Sequence, residues 1–176
     1  GLTQGFSIQL SQYYGAKDFE NLRKSLAHSY RLTAFIAAGV LILSQSFASL
    51  VLTGLHTPSN IIGMSLLYLR IIFCGIPATA AYNMFASALR AMGNSKTPLT
   101  AMVIASVLNV SLDILFVAGF GWGVAGAAIA TVIAQSFSAV YCFLILRRID
   151  IVHLTRADFM PASGMNARLM KLGIPV

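Results

Sequence analysis

The sequence predicts an all-α, polytopic membrane protein. Three observations carry this. The 176 residues are 57% hydrophobic and only 10% charged, where a soluble domain carries about 25% charged residues. Uncharged runs of 20 residues and more recur along the chain, each long enough to cross a hydrocarbon core of about 30 Å at ~1.5 Å per residue. Lysine and arginine concentrate in alternate connecting segments, as membrane topology requires.

The elements follow in order. GLTQGFSIQLSQYY, up to Tyr14, reads as the end of a helix already under way. Its serines and glutamines make it a weak span by itself. The second span runs from about Leu32 to Leu52, and the third from about Ile61 to Leu89 with Arg70 inside it. The fourth runs from Thr97 to Phe120, and the fifth from Val124 to Leu146. A sixth begins near Leu169. Four spans are thus complete and two truncated, which predicts a piece of a longer protein. Residues 1–150 are expected to hold the first five of these elements. Residues 151–176 are expected to be a linker on the basic side and the start of the next span.

Charge sets the expected orientation. Segments 15–31, 90–96 and 147–171 hold Lys17, Arg23, Lys24, Arg31, Arg90, Lys96, Arg147, Arg148, Arg156, Arg168 and Lys171. The opposite connections, near 53–60 and 119–123, hold no lysine or arginine. The basic side is therefore expected to be cytoplasmic and the His56 loop external. Arg70 breaks the pattern. It either snorkels to the outer interface or faces a cavity.

The formal charge of +7 does not mark a nucleic-acid partner, since no basic patch is interleaved with aromatics. Cys74 and Cys142 lie in apolar runs and read as small buried residues, neither a disulfide nor a metal pair. There is no zinc spacing, nucleotide loop or nucleophile elbow. The chain reads as no enzyme and needs no cofactor.

Asp113 carries the functional reading. A carboxylate inside a span costs at least ~2.5–3.5 kcal/mol, and such residues usually face a cavity and handle ions, protons or substrate. Asn109 lies one turn earlier on the same face. Counting back from the Gly119–Gly126 loop puts Asp113 roughly 9 Å deep, Thr131 roughly 12 Å and Asn109 roughly 15 Å. Three oxygen-bearing side chains thus converge on two hairpin-linked helices. A lone threonine would only bond its own helix carbonyl, so Thr131 has both readings open. Gln135, one turn from Thr131, is a candidate cavity residue, as are Tyr82 and Asn83. Ser44, Gln45, Ser46, Ser49 and Ser138 are expected to tie helices together. Phe85 and Trp122, like Tyr82, either contact an apolar substrate or simply face lipid or the core. Pro77 with Gly75 predicts a kink in the third span, either for packing or to open a cavity. Small residues at Gly119, Gly123 and Ala127, and at Gly126 and Ala130, predict close packing of the fourth and fifth spans.

Five stretches together are similar to one family: QYYGAKD at 12–18, YLRIIFCGIPATAAYN at 68–83, SALRAMGNSKTPL at 87–99, LNVSLDILF at 108–116 and GWGVAGAAIATVIAQ at 121–135. They resemble the bacterial multidrug and toxic compound extrusion (MATE) transporters over the whole chain. The resemblance implies a fold of two six-helix lobes around a central cavity. This chain would supply the end of the second helix through the sixth, the inter-lobe linker and the start of the seventh. It implies a multi-pass protein of the bacterial inner membrane, exporting cationic or apolar drugs or metabolites in exchange for Na+ or H+. The family's first-lobe cation site maps onto Asn109, Asp113 and Thr131, with a further aspartate on a first helix outside this chain. If Na+ is the coupling ion, these three residues are its ligands, and neutral oxygens beside a carboxylate suit such a hard cation. Partners would be a small organic substrate, the lipid bilayer, and the first helix and second lobe of the same protein. The related alternative is a lipid-linked saccharide flippase, for which Arg70 is the only hint.

Overall fold

A computed structural model describes residues 2–55, 58 and 60–149 of the chain. The expected linker, the sixth span and the external His56 lie outside the described residues. Those described are helical, with no strand among them. Helix α1 spans Leu2–Gly15, α2 Phe19–Gly54, α3 Ile62–Cys74, α4 Ile76–Ala91, α5 Lys96–Asp113 and α6 Gly123–Arg147. A π-helical segment, Ile114–Gly119, prolongs α5. Four stretches are long and apolar enough to cross a membrane: Phe19–Gly54, Ile62–Ala91, Lys96–Gly119 and Gly123–Arg147.

The basic segment expected as a connection over 15–31 is mostly helix. Its turn is only Ala16–Asp18, with Lys17 at φ 57°. Asp18 then caps α2 by accepting the Asn21 amide N–H at 3.2 Å and its side-chain N–H at 2.7 Å. Glu20 follows in the first turn and pairs with Lys24 at 2.6 Å. At 36 residues α2 is about 54 Å long, so its first turns stand beyond a 30 Å slab. The apolar face of those turns explains why they fold. Leu22 and Leu26 pack with Phe6 and Leu10 of α1, Met84 and Leu89 of α4, and Leu146 of α6. The main core therefore sits toward the basic side. Toward the other side, apolar side chains face outward, with Leu50 64% exposed. That is ordinary for surfaces whose solvent is lipid.

The third apolar run divides at Gly75, where the N–H bonds Ile72 O at 2.9 Å. Pro77 lies in the first turn of α4, where its missing N–H costs no helix bond. The expected proline kink is thus a helix end followed by a new start. A Cβ at Gly75 would lie 3.0 Å from Val132 Cγ2 of α6, so the junction rests directly on α6. Gln45 of α2 braces it, donating to Arg70 O at 2.9 Å and to Cys74 Sγ at 3.2 Å. The GNSKTPL stretch turns the chain into α5. Asn94 N–H bonds back to Leu89 O at 2.9 Å, and its Oδ1 accepts Thr97 N–H at 3.1 Å.

Central to the bundle, α4 packs on α1, α2, α5 and α6, while α5 pairs most extensively with α6. The α5–α6 turn carries three aromatics. Phe116 and Trp122 stack at 5.1 Å and Phe116 and Phe120 at 6.0 Å. Of the three glycines expected to bring these helices together, Gly126 is the one in tight contact. It is buried, and a Cβ there would lie 3.0 Å from Phe116 Cβ. Gly123 is exposed with open space around it, and it adopts φ +54°. Its role is to turn the chain rather than to admit a neighbour.

Candidate functional site

A polar cavity of about 200 Å³ opens between α4, α5 and α6. Asn109, Thr131, Gln135 and Tyr82 all line it, together with Ser106 and Ser138. Positions 102, 105, 106 and 109 form one face of α5, and 131, 134, 135 and 138 one face of α6. The two helices meet along these faces because small residues alternate with the polar ones: Ala105 on α5, Ala134 on α6.

Asn109 Nδ2 lies 3.5 Å from Thr131 Oγ1. The threonine hydroxyl itself donates to Ala127 O at 3.0 Å. Thr131 therefore both bonds its own helix and faces the asparagine. The asparagine amide, turned over, would present Oδ1 at the same place. Ser138 crosses from α6 to Ala101 O of α5 at 3.5 Å, while also bonding Ala134 O at 3.2 Å. The Tyr82 hydroxyl donates to Pro98 O at 3.2 Å, fixing α4 to the first turn of α5.

Asp113 is the last residue of α5 before the π-helical segment, one turn beyond Asn109. It is not among the residues lining the cavity. Its Oδ1 is screened from solvent and accepts no hydrogen bond among the described residues. A buried carboxylate oxygen with no donor is costly, and it calls for a cation or proton. The oxygens on hand are one carboxylate, one amide and one hydroxyl. That set suits a hard cation or a proton. No group of three His, Cys, Asp or Glu capable of holding a transition metal occurs among the described residues.

The π-helical segment was not foreseen. Past its end the cap residue Phe120 reaches back from its N–H to Leu115 O at 2.9 Å, and in the turn Trp122 N–H reaches Phe116 O at 2.9 Å. Such insertions recur at functional sites. The only sequence signal is indirect, in the glycines that let the widened turn press on α6.

Asn83 does not share the cavity. It is exposed and lines a separate recess of about 180 Å³ with Phe6, Thr33 and Val40. Adjacent helical positions point about 100° apart, so Tyr82 and Asn83 cannot serve one face. Pro77 lines a third, apolar cavity. Arg70 is exposed on α3 and absent from the lining of the polar cavity. Phe85 packs between Tyr30, edge-on, and Phe143, and Trp122 packs with Phe116 and Phe120.

The MatE family model matches residues 1–115, two thirds of the chain, including Asn109 and Asp113. The chain belongs to the MatE family. It is similar to the probable multidrug resistance protein YpnP of Bacillus subtilis, with 33% identity over 175 residues, covering 99% of this chain and 39% of that protein. It is also similar to the multidrug export protein MepA of Staphylococcus aureus, with 24% identity over 97% of this chain and 38% of MepA. Among solved structures, a MATE crystal structure in the bent conformation superposes with a TM-score of 0.92 at 25% identity, over 98% of this chain and 39% of that one. A multidrug resistance MATE family transporter of the MOP superfamily, in an inward-facing conformation, gives 0.91 at 25% identity, over 98% and 40%. The chain thus spans about two fifths of the length of the MATE relatives it matches. It is a multi-pass protein of the cell membrane.

Proposed function

We propose that this chain is the ion-coupling part of a secondary active antiporter that exports cationic or apolar small molecules in exchange for Na+ or H+. One observation carries the reading. A solvent-screened, unpartnered carboxylate oxygen of Asp113 lies one helical turn from Asn109, which meets Thr131 at 3.5 Å. The multidrug resistance and export names of the relatives support the substrate class.

Asp113 supplies the negative charge. Asn109 and Thr131 supply neutral oxygens that a cation can use in place of water. A proton would bind the same carboxylate, whose Oδ1 accepts no hydrogen bond among the described residues. The bound ion drives transport only if it favours one arrangement of the full protein over another. An ion with equal affinity for both shifts nothing.

The test is substrate transport by the full-length protein in proteoliposomes, with Na+ and H+ gradients imposed separately. Asp113→Asn preserves shape and removes the charge. It should leave folded yield near wild type and reduce gradient-driven efflux to background. Thr131→Val, which removes one neutral ligand at nearly constant volume, should lower ion affinity without abolishing transport. Wild-type efflux by Asp113→Asn under both gradients would make the residue structural and end the proposal.

A further inference from the structure

The apolar cavity that Pro77 lines is larger, about 400 Å³, and lies over α4, between α2 and α6. Its walls are small: Ala34 and Ala38 from α2, Ala81 from α4, with Leu41 and Pro77 at one end. The other end is aromatic. Tyr30 meets Phe85 edge-on at 5.5 Å, and Phe85 packs on Phe143 at 5.2 Å. The guanidinium of Arg147 stands 5.6 Å above the Phe143 ring. Arg147 and its neighbour Arg148 are both exposed. The trough is therefore apolar along its length and ends in cations at the basic side.

Its length identifies an occupant. Tyr30 to Leu41 spans 11 residues of helix, about 16 Å. That is half of a ~30 Å hydrocarbon core, the depth of one leaflet. A tyrosine and arginines at one end occupy the level of lipid headgroups. We propose that this trough holds one acyl chain of an anionic phospholipid, whose phosphate is bound by Arg147. The alanine walls let the chain lie close to the helix backbones. The guanidinium, already oriented by the Phe143 face, presents its remaining N–H donors to the phosphate. Anionic lipids attract basic side chains at membrane surfaces, which fits the sign of this end.

The experiment is native mass spectrometry of the full-length protein purified with equal amounts of phosphatidylglycerol and phosphatidylcholine. Wild type should retain phosphatidylglycerol preferentially. Arg147→Gln, at an exposed position, should lower its retention about fivefold, the scale of one near-surface charge, and leave phosphatidylcholine unchanged. Arg147→Lys should recover most of the loss. Ala38→Trp, whose side chain starts from an exposed position on the trough wall, should lower retention of both lipids. Equal retention of phosphatidylglycerol by wild type, Arg147→Gln and Ala38→Trp overturns the assignment. So does the absence of retained lipid in wild type. Cross-linking of Ala38→Cys to another segment of the protein would likewise overturn it, because the trough would then hold a helix.

Discussion

Gly126 tests how closely α5 and α6 depend on contact at the π-helical segment. A methyl group at this position would lie 3.0 Å from Phe116 Cβ, 3.1 Å from Trp122 Cβ and 3.2 Å from the Phe116 carbonyl carbon. One of these is backbone, and the other two are the stiff roots of aromatic side chains. None can swing away, so α6 must retreat by several tenths of an ångström or the π-helical segment must reshape. Overpacking of this kind costs about 1–3 kcal/mol. Replacing a helical glycine by alanine also gains ~0.5–1 kcal/mol in backbone entropy, which would mask part of the clash. Gly39 supplies the control, because it lies within α2 with nothing inside 4 Å of an added Cβ. The entropic gain is common to both alanines, so their difference isolates the clash. Gly39→Ala should stabilise slightly, and Gly126→Ala should fall roughly 1–3 kcal/mol below it. Reversible unfolding in mixed micelles measures the two differences. Values for the two variants that agree within about 0.5 kcal/mol would refute the close-approach argument, given that independent sites add to that accuracy. Gly123→Leu would also destabilise, through its positive φ rather than through contact.

Two further predictions concern the basic side. With Cys74 and Cys142 removed, Lys96→Cys should resist an impermeant thiol reagent added outside intact cells and Phe120→Cys should react; labelling of Lys96→Cys would invert the topology. Hydrogen bonds from the Asn21 side chain and then its backbone N–H hold the Asp18 carboxyl below its ordinary pKa. The α2 cap is therefore at full strength above about pH 3.9, the unfolded value, and is lost as pH falls through the depressed folded pKa. Asp18→Asn should abolish that acid dependence of stability; an unchanged acid profile would mean that the carboxylate form adds nothing.

Helix number and span boundaries were legible because they follow from hydrophobic run length. Predicted and observed ends agree within two residues for the last two spans, Lys96–Gly119 and Gly123–Arg147. The extension of α2 back to Phe19 was hidden by its charges, which read as a loop. They are instead the solvated face of helical turns whose other face packs Leu22 and Leu26 into the core. Gly75 and Pro77 were recognised, yet the interruption falls at the glycine, because the close approach of Val132 fixes where the backbone must be bare.

The site was read partly by energy and partly by counting, and the two methods fared differently. The cost of a lone intramembrane carboxylate depends on no geometry, so Asp113 stood out from sequence alone. Counting depth from the turn at ~1.5 Å per residue assumes an α-helix on both sides. That count put Thr131 between Asp113 and Asn109 and could not choose between them. The π-helical segment at Ile114–Gly119 breaks the assumption. An i→i+5 turn uses more residues for each turn than an α-helix does. Everything before it on α5 is thereby carried closer to the turn than the count implies. Asn109 then comes level with Thr131, and their side chains meet at 3.5 Å. Asp113 moves off the cavity wall, toward the Gly119 end, where one carboxylate oxygen is enclosed without a donor. Asp113 follows Asn109 by one turn of α5, and Thr131 meets Asn109 from α6, so the charge stands one turn from the paired neutral oxygens. Gly126 packs on Phe116 in the segment that directly follows Asp113, so Gly126→Ala should also weaken the ion binding proposed at Asp113, read in the full-length protein as a higher ion concentration for half-maximal transport.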